Sequence, residues 1–208
     1  MTARRLPPLR RQGIAFAVPS GWWIVAWSAL AIGGMCVGLL AALGTGEEGV
    51  RVVIRATART SVGLFVLAFV AAPLVRAWPT AASRWLLTNR RYVGVSFALS
   101  HLAHLFAILT LVGWSIRSFF TTAGVVTGVA GGIGYLFVAA MAATSFDRSA
   151  AWLGPRRWRR LHTTGVYYLW FVFFATFAPR ALAAPALYAT ITLVLLAALG
   201  LRLGVRAA

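Results

Sequence analysis

Acid is nearly missing from this chain, and lysine is missing altogether. Glu47, Glu48 and Asp147 are the only acidic residues against twenty basic ones, all arginine, which gives a formal net charge of +17. The lack of paired carboxylates, of an acidic metal cluster and of a Ser/His/Asp arrangement argues against hydrolytic chemistry. The single cysteine, Cys36, rules out an intrachain disulfide and lies in an apolar run, where it reads as packing. No repeat, linker or low-complexity segment marks a second domain. Gly131, Gly132 and Gly134 lack the spacing and the preceding strand of a nucleotide-binding loop.

What the chain has instead is apolar sequence. Of its 208 residues 61% are hydrophobic, with a mean hydropathy of +0.83, which places it among polytopic membrane proteins. Arginine clusters between apolar runs set orientation and meet anionic lipid. Nucleic acid is not an expected partner, because no segment is long enough to build a basic soluble surface. The first apolar run follows Arg4, Arg5, Arg10 and Arg11, as a signal peptide would, but it extends from Gly21 to Leu43. That exceeds the roughly 7–15 residues of a signal core and reads as an uncleaved span.

Six runs predict an all-α bundle of six transmembrane helices, at about 21–43, 52–75, 92–113, 122–144, 161–178 and 185–201. Together they form one domain over residues 21–203, behind a basic N-terminal segment, residues 1–20. Fifteen of the twenty arginines fall in the N-terminus, the second and fourth loops and the C-terminus. By the positive-inside rule both termini are expected in the cytoplasm. Gly124, Gly128 and Gly132 in the fourth span, and Gly34 and Gly38 in the first, have small-residue spacings that suit close helix packing.

Three histidines stand out. His101 and His104 lie on one helical face in the middle of the third span, and His162 opens the fifth. An imidazole within a membrane marks a candidate functional site, and two imidazoles from facing helices are what an electron-transfer haem needs. All three are candidate ligands to haem iron, two of them at a time. Counting from Arg91 and Arg160, the arginines at the cytoplasmic ends, His101 and His162 differ in depth by about 12 Å; counting from Arg117 and Arg180 they differ by about 3 Å. The second count makes His101–His162 the expected axial pair, with His104–His162 next. Arg51, Arg55 and Arg59 form a basic stripe entering the second span, and Arg59, the deepest, is a candidate contact for an anionic cofactor.

Three segments carry a family resemblance: Arg59 through Arg76, Asn89 through His104, and Leu153 through His162. Their most specific pieces are Arg90-Arg-Tyr-Val-Gly94 and Trp158-Arg-Arg-Leu-His162. Over roughly residues 50–180 the chain resembles the ferric reductase-like transmembrane domain. That family includes the haem-binding membrane subunit of the bacterial periplasmic methionine sulfoxide reductase system. The resemblance implies a six-helix bundle in a bacterial inner membrane that passes electrons through b-type haem, as the membrane component of an oxidoreductase. It places His104 on the family's third-helix ligand and His162 on its first fifth-helix ligand. The second fifth-helix histidine, thirteen residues on, is replaced by Ala175, so the resemblance implies one haem and not two. Flavin and nicotinamide domains are absent, so the donor would be a separate protein or a membrane quinol, and a periplasmic reductase would be a partner. No motif supports a flavin or quinone site. The competing expectation is a haem-free membrane scaffold or assembly subunit, which Ala175 favours. A small transporter would need more polar lining than these spans offer.

Overall fold

The computed structural model describes residues 18–207, so Arg4, Arg5, Arg10 and Arg11 of the expected basic N-terminus lie outside the described residues. In chain order come α1 (Trp22–Leu43), α2 (Glu47–Ala77), α3 (Ala81–Leu111), α4 (Ile116–Ala123), α5 (Val125–Ala143), α6 (Asp147–Leu153), α7 (Pro155–Ala183) and α8 (Pro185–Ala207). No strand occurs among the described residues.

Helices α1, α2, α3, α5 and α7 are long and apolar enough to cross a membrane, and α8 carries a shorter apolar stretch, Tyr188–Gly204. These helices hide little of their apolar surface from solvent. Only 11% of the residues in the most apolar part of α1 are buried, and even in α2 only 33%. Trp23, Val126, Leu136, Phe171 and Leu182 stand between 60% and 88% exposed. A surface this apolar is stable facing acyl chains, where helices satisfy their own backbone groups. The chain is an α-helical, multi-pass membrane protein.

The helices outrun their apolar stretches, which corrects two expected loops. Between α2 and α3 only Trp78, Pro79 and Thr80 are non-helical. Thr80 and Ser83 form a capping box, with Ser83 N–H donating to Thr80 Oγ1 at 3.2 Å and Thr80 N–H to Ser83 Oγ at 3.0 Å. Arg84, Arg90 and Arg91 therefore sit in the first turns of α3. The basic segment before the fifth apolar run is helical too. Gly154, at φ +77°, ends α6, and Pro155 opens α7 with its fixed φ, so Arg156 through Arg160 are in helix. The fourth run is broken at Gly124, φ +76°, into the short α4 and the long α5.

Two kinds of contact join the helices. Phe65 on α2 meets Phe97 of α3 and Phe173 of α7, with ring centroids 5.6 and 5.2 Å apart, while Val138 and Met141 of α5 and Leu195 of α8 complete the core. A polar seam ties α2 to α3. Ser61 Oγ donates to Ser100 Oγ at 2.9 Å, Ser100 Oγ donates to the Thr57 carbonyl at 3.3 Å, and all three side chains are fully buried. Inside a bilayer such hydroxyl contacts and close packing hold helices together, because lipid is as apolar as leucine.

Candidate functional site

The three histidines occupy two separate depths. His101 stacks on Tyr135 of α5, with centroids 4.6 Å apart, and meets Phe173 of α7 edge-on at 5.7 Å. Phe173 lies eleven residues beyond His162 on α7, and His101 lies eleven beyond Arg90 on α3. His101 meets Phe173, and Arg90 and His162 line one cavity eleven residues before them, so His162 is level with Arg90 and about 16 Å from the depth of His101.

The expected His101–His162 axial pair is thereby corrected, and His104–His162 is wider still. The count from Arg117 and Arg180 fails for a structural reason. Arg117 belongs to α4 rather than to the end of α3, and α7 continues past Arg180 to Ala183. The count from the arginines at the other end, about 12 Å, is the nearer of the two to this register.

Each histidine has its own surroundings. His104 Nδ1 is 3.1 Å from both the Ile54 carbonyl and Thr57 Oγ1, which binds it to α2. His101 Nδ1 is buried with no hydrogen-bond partner, as is the Tyr135 hydroxyl beside it. The rings of His101 and His104 stack, 5.6 Å apart, on one face of one helix. One turn apart on a single helix, they do not supply a ligand from each of two facing helices. His162 stacks on Trp158, one turn earlier, at 4.1 Å, and its Nε2 is 3.1 Å from Thr144 Oγ1. Trp158 Nε1 donates to the Thr144 carbonyl at 3.0 Å, so α5 and α7 together fix the imidazole. Arg59 does not join the histidines. It is exposed, with its guanidinium 5.8 Å from the Tyr188 ring on α8, and Arg51 pairs with Glu47 at 2.7 Å.

His162 opens onto a cavity of about 360 Å³ between α2, α3, α5 and α7. Its walls include Phe65, Phe69, Phe97, Val138, Met141 and Val166, and Arg90 and Arg91 lie along it. Arg91 is ion-paired with the exposed Asp147. Arg90 Nε donates to the Ala68 carbonyl at 3.0 Å. A larger groove, about 560 Å³ between α1, α2 and α3, carries no titratable side chain.

This donor set bears directly on haem. Two imidazoles at one depth on facing helices are not present among the described residues, so the arrangement does not fit a bis-histidine haem. One imidazole, apolar walls and two guanidiniums along one cavity are the parts that a haem held by one histidine uses, although His162 Nε2 is already engaged by Thr144, Arg91 by Asp147 and Arg90 by the Ala68 carbonyl. Among the described residues no group of three or more His, Cys, Asp or Glu side chains is placed to hold a metal ion by itself.

Sequence reasoning placed Arg90 in a motif without giving it a role in the site, and it missed Arg202, Tyr135 and Thr144. The Trp158–His162 stack was open to it, being a pair four residues apart on a helix. No protein-family model, curated protein or solved structure matches the chain.

Proposed function

We propose that this chain is the membrane electron-transfer component of an oxidoreductase, with one b-type haem held by His162 in the cavity between α2, α3, α5 and α7. The observation that supports it is the convergence of one oriented imidazole, aromatic walls and two guanidiniums on a single cavity. Bound there, haem supplies one-electron chemistry. The residues have distinct tasks. Thr144 and Trp158 orient the His162 ring, Phe65, Phe69 and Phe97 keep water out, and Arg91 on the cavity wall offsets carboxylate charge. On this reading the fold is of the ferric reductase-like kind, with α8 as the sixth span. Both termini lie in the cytoplasm of a bacterial cell bounded by its inner membrane. Electrons come from a separate protein or a membrane quinol and leave toward a periplasmic reductase.

A second reading is a haem-free scaffold or assembly subunit. Two observations favour it: Ala175 stands where the resemblance expects a ligand, and His104 and His162 both have hydrogen-bonding partners within the protein.

The test is a reduced-minus-oxidised visible spectrum of protein expressed with ample haem, before and after carbon monoxide. The expected result is a b-type spectrum at about one haem per chain, lost in His162→Ala and retained in His101→Ala and His104→Ala. A haem held by His162 alone would bind carbon monoxide, which should shift the reduced spectrum. No haem bound to the wild-type chain overturns the electron-transfer reading in favour of the scaffold.

A further inference from the structure

Two arginines from different helices meet α2 at consecutive carbonyls. Arg90 Nε of α3 donates to Ala68, and Arg202 Nη1 of α8 donates to Phe69 at 2.6 Å. Arg202 is held further by two rings, with its guanidinium carbon 4.4 Å from the Phe69 centroid and 5.3 Å from that of Tyr167. Its Nε is buried with no hydrogen-bond partner. Both residues are half-buried.

None of the three acidic side chains of the chain answers this charge. Asp147 is exposed and paired with Arg91. Glu47 and Glu48 open α2, about 30 Å along the helix from Ala68. Two guanidiniums bonded to consecutive carbonyls of one helix, without a carboxylate, repel one another, and a low dielectric strengthens that repulsion. Backbone carbonyls and aromatic faces offset part of it and supply no net charge. An anion between them would supply it. Basic pockets between helices at the arginine-rich end of a membrane protein suit phosphate head groups, and arginine binds phosphate through paired donors.

We propose that Arg90 and Arg202 form an anion site for a phosphate group, supplied by the head group of an anionic phospholipid. The site lies at the arginine-rich end of the bundle, where α2, α3 and α8 meet. It does not rest on the haem reading, because His162→Ala removes the proposed haem ligand and leaves both arginines in place.

The experiment is thermal unfolding of the detergent-purified full chain with phosphatidylglycerol, phosphatidylcholine or inorganic phosphate added. Phosphatidylglycerol should raise the midpoint by roughly 3 °C or more beyond phosphatidylcholine. This increment should vanish in Arg202→Gln and in Arg90→Gln. It should persist in His162→Ala and in Arg157→Gln, a variant at an exposed arginine on α7. An equal increment from inorganic phosphate keeps the site and assigns its occupant to free phosphate. Equal midpoints with the two lipids overturn the proposal. So does an increment that survives in the arginine variants, or one that Arg157→Gln removes as well. If Arg202→Gln does not fold, Arg90→Gln decides the question with Arg202 in place.

Discussion

Pro73 and Arg202 act on the same atom. A helical carbonyl normally accepts from the N–H four residues on, and Pro73 has no N–H to offer Phe69. Arg202 donates to the Phe69 carbonyl from α8 at 2.6 Å. A proline on one helix thus creates the acceptor by which another helix docks, as freed backbone groups in a bilayer require.

The pairing should show as thermodynamic coupling. Arg202→Gln is expected to destabilise the protein by about 1–3 kcal/mol, since it leaves that carbonyl without its charged donor. Pro73→Ala returns an N–H to position 73. In that background the cost of Arg202→Gln should fall by at least about 0.5 kcal/mol. Additive effects in a double-mutant cycle, followed by thermal or denaturant unfolding in detergent, would separate the two residues.

The histidines of α3 should respond oppositely to substitution. His104 holds the Ile54 carbonyl and Thr57 of α2, so His104→Ala should cost about 1 kcal/mol. His101 is enclosed by Phe97, Tyr135 and Phe173, with an unpartnered nitrogen. His101→Phe keeps the stacking and removes a buried polar atom, so stability should be unchanged or raised. A loss from His101→Phe as large as that from His104→Ala would mean that His101 holds a polar group after all.

Apolar runs locate bilayer-crossing segments well and helix ends poorly. The expected first span, 21–43, agrees with Trp22–Leu43 within a residue, because Gly21 and Gly44 bound it with positive φ. The third and fifth runs undershoot their helices by about ten and six residues at the start, since arginine is a good helix former that hydropathy does not count. The site was legible only as a set of residue types. Depth depends on how α3 slides against α7, and that register is set by Phe97, Tyr135 and Phe173 meeting His101, not by any spacing along one helix. Pro73 announces a freed carbonyl at Phe69, yet nothing local says that its donor lies 133 residues away. Small-residue spacing misled in part. A Cβ on Gly34, Gly38 or Gly132 would meet nothing within 4 Å, and Gly128 faces the rings of Phe119 and Phe120 rather than a helix backbone.

Two glycines of α2 give a contrast in stability. A Cβ at Gly49 would lie 1.9 Å from the Gly44 carbonyl oxygen, so the connection from α1 must move to admit it. Gly49→Ala should cost about 1–3 kcal/mol. At Gly63 a Cβ meets nothing within 4 Å. Gly63→Ala should leave stability unchanged or improve it by up to about 1 kcal/mol, through helix propensity. Equal thermal midpoints for the two variants would show that the α1–α2 turn yields without cost.

Gly165 connects helix packing to the cavity. It lies one turn after His162 on α7, and a Cβ there would come within 2.7 Å of Met141 Sδ and 3.1 Å of Phe137 Cδ1. Methionine is flexible, so Gly165→Ala should be accommodated. Gly165→Val should not be, because a branched side chain at that spot leaves Met141 nowhere to go except the cavity it already lines. Haem per chain should therefore fall several-fold in Gly165→Val while helicity by circular dichroism is kept. Met141→Ala in the same chain should restore it by giving the volume back. The pair of variants tests location rather than ligation: haem content that ignores both would place any haem outside the cavity beside His162, whatever His162→Ala does.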